Sequence, residues 1–163
     1  MREKSQLLIF HSSGLGCAFP LEAVREIVPM ARLSRPPGLP SGLAGFLDLR
    51  GEAIPIIRLD RLFDLPEQAL GLHTPMIVLR GATASIGILV NSVKGIVEAP
   101  SAGLLEIPGH RTFQGCATGA MEVDGDLIHV LSPAALLAEN EHRLVADYCA
   151  MSIARLAELA ETN

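Results

Sequence analysis

Gly45-Phe46-Leu47-Asp48-Leu49-Arg50-Gly51-Glu52-Ala53-Ile54-Pro55-Ile56-Ile57 holds two apolar runs that meet at a polar corner. Before the corner the residues alternate, with Phe46, Asp48 and Arg50 on one side and Leu47 and Leu49 on the other, as in a strand with one buried face. The alternation enters a tight turn at Gly51, so the stretch predicts a β-hairpin. Pro55 has no N–H to give a ladder, which places the second strand at an edge or bulge unless that position faces away from its neighbour. Arg50 brings a rigid five-donor fork to the turn. It can pair within the domain, with Glu52 or Asp48, or be offered to a partner.

Toward the N-terminus, Gln6 to His11 and Gly16 to Phe19 are apolar runs flanking Ser12-Ser13-Gly14, which predicts a first hairpin ended by Pro20. Leu21, Val24, Ile27 and Val28 then recur at helical spacing, with Glu22, Arg25 and Glu26 opposite, and predict one or two turns of helix stopped by Pro29. Met30 to Ser34 reads as a brief strand, and the proline-rich stretch from Arg35 to Gly42 as a rigid connecting loop. Beyond the central hairpin, Leu59 to Phe63 predicts a helical turn and Pro66 to Thr74 an exposed linker.

The pattern recurs from Pro75. Met76 to Arg80 and Ala84 to Val90 predict a hairpin around Gly81-Ala82-Thr83, and Val93, Ile96 and Val97 repeat the spacing of Val24, Ile27 and Val28 at an offset of 69. Gly119 to Leu131 matches Gly45 to Ile57 at an offset of 74, with Gly125 on Gly51, Asp126 on Glu52 and Ile128 on Ile54. These blocks predict a pseudo-repeat of two β-rich halves, 6–65 and 75–132, and two small barrels of about five strands, since closing a short sheet removes its exposed edges. Asp124 occupies the place of Arg50, so the fold itself does not require an arginine there, which favours a binding role for Arg50. Ser132 and Pro133 open a helical segment over 133–160, with Ser132 as N-cap. Within it Val145, Tyr148, Ser152, Leu156 and Leu159 form an amphipathic stripe, suited to packing across the barrels or to a coiled-coil or membrane-surface contact.

Composition narrows the functional classes. The chain has 163 residues, 49% of them apolar, enough for a sizeable core. Thirteen basic against 18 acidic residues give a net charge of −5, and no basic stripe marks a nucleic-acid footprint. No apolar run approaches the roughly 20 residues that span a bilayer, and the charged start Met1 to Ser5 has no secretory pattern. Cys17, Cys116 and Cys149 fit neither a disulfide framework nor a zinc pattern and read as buried thiols of a reducing cytoplasm. His11, His73, His110, His129 and His142 show no metal-ligand spacing, Gly14 to Gly16 lacks the rest of a dinucleotide fingerprint, and no nucleotide-phosphate loop or serine elbow is present. Neither catalytic residues, nor a metal, nor a cofactor is expected.

The run from Gly45 to Asp60, with its Asp48-Leu49-Arg50-Gly51 block and following strand, resembles the central signature of the CheW family, adaptor proteins of bacterial chemosensory arrays. The usual form there is Gly-Val-x-Asn-Leu-Arg-Gly, then a strand and an Asp-Leu; Asp48 stands where the family mostly has asparagine. The resemblance extends from about Gln6 to Leu137. It implies a single domain over 1–163, mainly β, of two intertwined five-stranded SH3-like barrels with short helices and a C-terminal helix. It also implies a non-enzymatic adaptor, cytoplasmic and recruited to membrane-associated receptor arrays. Such an adaptor couples chemoreceptors (methyl-accepting chemotaxis proteins) to a CheA-type histidine kinase, through the kinase regulatory domain and the chemoreceptor cytoplasmic tip. Carried over by position, the partner-binding residues are Val24, Glu26, Gly45, Asp48, Leu49, Arg50 and Gly51, with Leu89, Val90 and Asn91 in the second half, where Asn91 replaces the family's aspartate. Two other readings stand beside it. The same fold could serve another output, such as surface motility or cyclic-dinucleotide signalling. A small ligand-binding barrel or hydrolase would use His110 and Arg111 near Gly115-Cys116.

Overall fold

A computed structural model of the chain describes residues 5–40, 42–67, 69–81, 84–100, 103–106 and 115–139. Its strands in chain order are β1 (Gln6–Ser12), β2 (Leu15–Pro20), β3 (Val24–Val28), β4 (Leu43–Leu49), β5 (Glu52–Arg58), β6 (Met76–Leu79), β7 (Ile86–Leu89), β8 (Ser92–Glu98), β9 (Ala117–Val123) and β10 (Asp126–Leu131). A 3-10 turn, Leu21–Ala23, precedes β3, and a short helix, α1 (Leu59–Leu62), follows β5. A further helix, α2, covers residues 133–139. Its start is capped as its sequence predicts: Ser132 Oγ accepts the N–H of Ala135 at 3.2 Å. Glu141 to Ala160, His110, Arg111, His142 and Cys149 lie outside the described residues.

The strands form two five-stranded sheets, sheet I in the order β8-β1-β2-β10-β9 and sheet II in the order β3-β6-β7-β5-β4. The mainly β architecture of two intertwined five-stranded sheets is therefore the expected one, and the intertwining means that the halves 6–65 and 75–132 do not each make one sheet. The opening hairpin of each half joins the last three strands of the other: β1 and β2 sit with β8, β9 and β10, and β6 and β7 with β3, β4 and β5. The joints are equivalent, since β10 lies parallel to β2 and β5 lies parallel to β7.

This exchange explains why some strands are apolar throughout while others alternate. Leu7 and Ile9 point into the core of sheet I, with Ala18, Met121, Ile128 and Val130. Leu8 and Phe10 point the other way, into a core shared with Leu43, Ile57, Ile77, Leu79 and Ile88 of sheet II. Met76 and Val78 line the core of sheet II itself. Strands between two cores have both faces buried, so they read as unbroken apolar runs. The hairpin β4–β5 lies at the outside of sheet II, where Asp48 and Arg50 meet solvent, and alternates.

Leu21 to Val28 is the main correction to the sequence reading: after one 3-10 turn it is the strand β3, paired with β6, and the counterpart around Val93 is the strand β8. Both strands carry a β-bulge. Val24 pairs with Leu79 and Glu26 with Val78, leaving Arg25 extra; Val93 pairs with Phe10 and Gly95 with Ile9, leaving Lys94 extra. A bulge shifts the side-chain phase by one residue. Val24 thus reaches the shared core and Val28 that of sheet II, just as Val93 reaches the shared core and Val97 that of sheet I. Without the bulge, residues four apart on a strand would face the same way. Helix-like spacing here is a strand that changes faces.

Met30 to Ser34 forms no strand; it crosses to β4 and makes a single bridge, with Ser34 and Phe46 exchanging both backbone bonds at 2.8 Å. Because Phe46 spends its N–H and C=O on Ser34, it faces Pro55 of β5 across a non-hydrogen-bonded position, and β7 joins β5 only from Ile56 onward. The proline therefore sits inside a strand without breaking a ladder. The same crossing fixes Gly45, whose φ is +151°: a Cβ there would lie 2.7 Å from the Ser34 carbonyl oxygen and 2.9 Å from Leu33 Cβ. Gly119 repeats this against Leu104 and Leu105, and Leu105 bridges Ala120 as Ser34 bridges Phe46. Gly45→Ala should lower unfolding stability by about 1–3 kcal/mol, through backbone strain and displacement of the crossing. Urea titration followed by circular dichroism checks this, with Gly51→Ala as the comparison that strains the turn but meets no neighbour within 4 Å.

Candidate functional site

Leu49 pairs with Glu52, so β4 and β5 are joined by the two-residue turn Arg50-Gly51, with φ of +51° and +87°. Positive φ at both central residues is the turn geometry that matches strand twist. Ser13-Gly14 and Asp124-Gly125 make the same turn in the other hairpins, with φ of +50° and +79°, and +50° and +85°. Asp is among the few residues that tolerate the left-handed region at the first position, whereas Arg, like Ser, bears the full Cβ penalty there. Arg50 is thus held in a conformation that the turn imposes and that its residue type does not favour.

The tip of this hairpin meets the edge strand β3. Arg50 Nη2 donates to Glu26 Oε2 at 2.7 Å, and Arg25 Nη1 donates to Glu52 Oε2 at 2.8 Å and to Ser85 Oγ at 3.1 Å. Adjacent residues of a regular strand point to opposite faces; the bulge at Arg25 lets both reach one hairpin. Since β3 and β4 are the two edges of sheet II, these crossed ion pairs and the Ser34 bridge close the sheet on itself. The Arg50 side chain nonetheless stays 66% exposed and Glu26 29%, beside Ile27, which is 44% exposed. The hydrogen bond from Arg50 holds the Glu26 carboxyl below its ordinary range; partial desolvation opposes this, and the charges of Arg50 and Arg25 reinforce it. A carboxylate with a lowered folded-state pKa keeps its partner above the ordinary glutamate range and loses it as pH falls through the lowered value. The Glu26–Arg50 link is therefore constant through neutral pH.

Of the residues expected at a partner surface, Glu26 and Arg50 are brought into contact. Asp48 is turned to the backbone: its Oδ1 accepts the N–H of Gly51 at 2.9 Å and locks the turn, a task an asparagine Oδ1 performs equally. Gly45 has the packing role described above, and Gly51 the turn conformation. Leu49, Leu89 and Val90 are buried in the cores, and Val24 packs against one. Val90 and Asn91 form the crossover from β7 to β8. There Asn91 Oδ1 accepts the N–H of Ser13 at 2.7 Å, and the Asn91 N–H reaches the His11 carbonyl at 2.8 Å, tying the crossover to the β1–β2 turn.

Sequence reading missed Arg25 and Glu52 as a pair, because a helical assignment set Arg25 aside with Glu22 and Glu26. It also missed Arg58 and Asp60. These are 6% and 3% exposed, with Nε on Oδ1 at 3.0 Å and Nη2 on Oδ2 at 2.6 Å, a bidentate pair at the junction of β5 and α1.

Among the described residues no group of three or more His, Cys, Asp or Glu side chains is placed to hold a metal ion, and no helix is long and apolar enough to cross a membrane. Cys17 and Cys116 are buried free thiols. Burial pushes Cys17 up to about 12, while burial and then the Glu139 charge push Cys116 up to about 11. Burial thus disfavours the thiolate, the reactive form, at both sites. Ellman's reagent at pH 8 should leave both unmodified in the folded chain and titrate both once guanidinium unfolds it; peptide mapping assigns the sites.

A family model described as CheW-like domain matches residues 6–141. The chain is similar to Protein FrzA of Myxococcus xanthus, 28% identical over 150 residues that cover 89% of this chain and 92% of that one. It is also similar to Chemotaxis protein CheW of Bacillus subtilis (strain 168), 24% identical over 92 residues, 56% and 59% of the two chains. Among solved structures it superposes on the crystal structure of scaffolding protein TtCheW from Thermoanaerobacter tengcongensis with a TM-score of 0.75, 18% identity, and coverage of 83% of this chain and 89% of that one. At that identity the likeness establishes the fold.

Proposed function

This chain belongs to the CheW-like domain family, and we propose that it is a non-catalytic adaptor joining chemoreceptor tips to the regulatory domain of a CheA-type histidine kinase. The observation that carries this reading is Arg50: a largely exposed arginine, held at positive φ on a turn whose counterpart does as well with Asp124. A side chain that local folding does not favour, at the tip of a rigid hairpin, suits recognition of a partner carboxylate.

Glu26 keeps the guanidinium oriented on the free protein, so little side-chain freedom is lost on docking. The mechanism is positional. By holding the kinase regulatory domain at a fixed place against the receptor, the adaptor turns a receptor shift into a different set of contacts, and so into a different kinase conformation.

Calorimetric titration tests the reading. Wild-type chain is titrated with an isolated kinase regulatory domain and, separately, with a soluble receptor-tip fragment. Binding to at least one of them is expected; absence of binding to both overturns the proposal.

A further inference from the structure

The pseudo-repeat makes the two barrels comparable residue by residue. Arg25 and Lys94 are both the extra residue of a bulge, in β3 and β8. Arg50-Gly51 and Asp124-Gly125 are matching turns, and the Ser34–Phe46 and Leu105–Ala120 bridges, with Gly45 and Gly119 beneath them, close both seams at the same level. Above that level the seams differ. In sheet II the crossed pairs Arg25–Glu52 and Glu26–Arg50 fill the space. In sheet I the corresponding residues are Lys94, Asp126, Gly95 and Asp124, and among the described residues Lys94, Asp124 and Asp126 form no ion pair. Gly95 leaves room where Glu26 stands in the other copy: a Cβ built on it would meet nothing within 4 Å.

What remains is a cleft of about 420 Å³ between β8 and the β9–β10 hairpin, lined by His11, Lys94, Ile96, Asp124, Asp126 and Ile128 among others. Ile96 is 54% exposed, and Leu127 on the same hairpin is 52% exposed. We infer that this cleft receives an extended segment of a partner protein that presents an arginine or lysine between aliphatic side chains. The cation is the part the second copy lacks: two carboxylates face one lysine, and the guanidinium that Arg50 supplies in sheet II is replaced by an acid. The aliphatic flanks match the exposed Ile96. The segment is extended because β8 is an edge strand that, among the described residues, pairs with β1 alone, so its other edge can offer backbone hydrogen bonds.

The test uses the intact, isotopically labelled chain and amide chemical shifts. The probe is the peptide acetyl-Val-Arg-Ile-Arg-Val-amide, and the control has glutamate in place of both arginines. Saturable shifts in β8 and the β9–β10 hairpin are expected with the arginine peptide and not with the control. Asp126→Asn should weaken binding about three- to fivefold, the range of an exposed ion pair, and Asp124→Arg, which installs the residue that the matching turn of the first copy holds at the same φ, should abolish it. Dispersed spectra confirm that each variant is folded. Absence of saturable shifts in those strands, equal shifts with both peptides, or undiminished binding in Asp126→Asn overturns the inference.

Discussion

Replacing Asp60 by alanine should destabilise the chain by about 3–5 kcal/mol, the cost of removing one partner of a buried ion pair. Arg58 and Asp60 are 6% and 3% exposed, and the carboxylate takes two guanidinium donors in parallel while its Oδ1 also accepts the Arg61 N–H at 2.9 Å. The pair stands where β5 gives way to α1, whose Leu59 and Leu62 enter the core shared by both sheets. Loss of the carboxylate therefore loosens the point at which sheet II is anchored to that core. Asp60→Asn keeps an acceptor for one donor but not the charge, so a smaller loss is expected. Arg58→Met combined with Asp60→Leu removes both charges and should recover most of the loss, because apolar replacement of a buried pair is often neutral or better. Urea unfolding of the three variants and wild type gives the numbers, and an Asp60→Ala variant within 1 kcal/mol of wild type would show that the pair behaves as a surface contact.

The sequence reading succeeded where structure is local and failed where it is not. The hairpin turns at Ser13-Gly14, Arg50-Gly51 and Asp124-Gly125 are legible because a glycine at the second turn position between apolar runs has few other uses. The Ser132 cap is legible because its bond spans only to Ala135. Exchange of hairpins between the two halves left no local trace: β2 pairs with β10 more than a hundred residues away, and nothing near Gly16 specifies Ile128. The bulge at Arg25 was invisible for the same reason, since it exists only relative to β6, and it turned a strand into a helical pattern on paper. That one misreading separated Arg25 from Glu52 and hid half of the ion-pair cluster. Arg50 and Glu26 were still found, because a charged residue that no apolar pattern explains asks for a partner.

Exchanging the two charges, with Glu26→Arg and Arg50→Glu in one chain, should leave the fold intact and cut affinity for the kinase regulatory domain or receptor tip by at least about tenfold, as expected when a central arginine anchor is lost and a like charge takes its place. The swap preserves an ion pair between β3 and the hairpin tip, so closure of sheet II survives; the turn position accepts non-glycine residues at positive φ already. What changes is the charge offered to a partner. Arg50→Asn separates the effects differently: asparagine suits the left-handed turn better than arginine, which offsets the loss of one solvent-exposed ion pair, so the melting temperature should be equal to or above that of wild type while affinity falls. If Arg50 served only to close the barrel, the ordering would reverse. The swap would then bind like wild type, since the internal pair is kept, and Arg50→Asn would melt early, since the pair is lost. Melting curves and calorimetric titrations on the same three proteins tell the two roles apart, because a recognition residue and a structural residue move opposite observables.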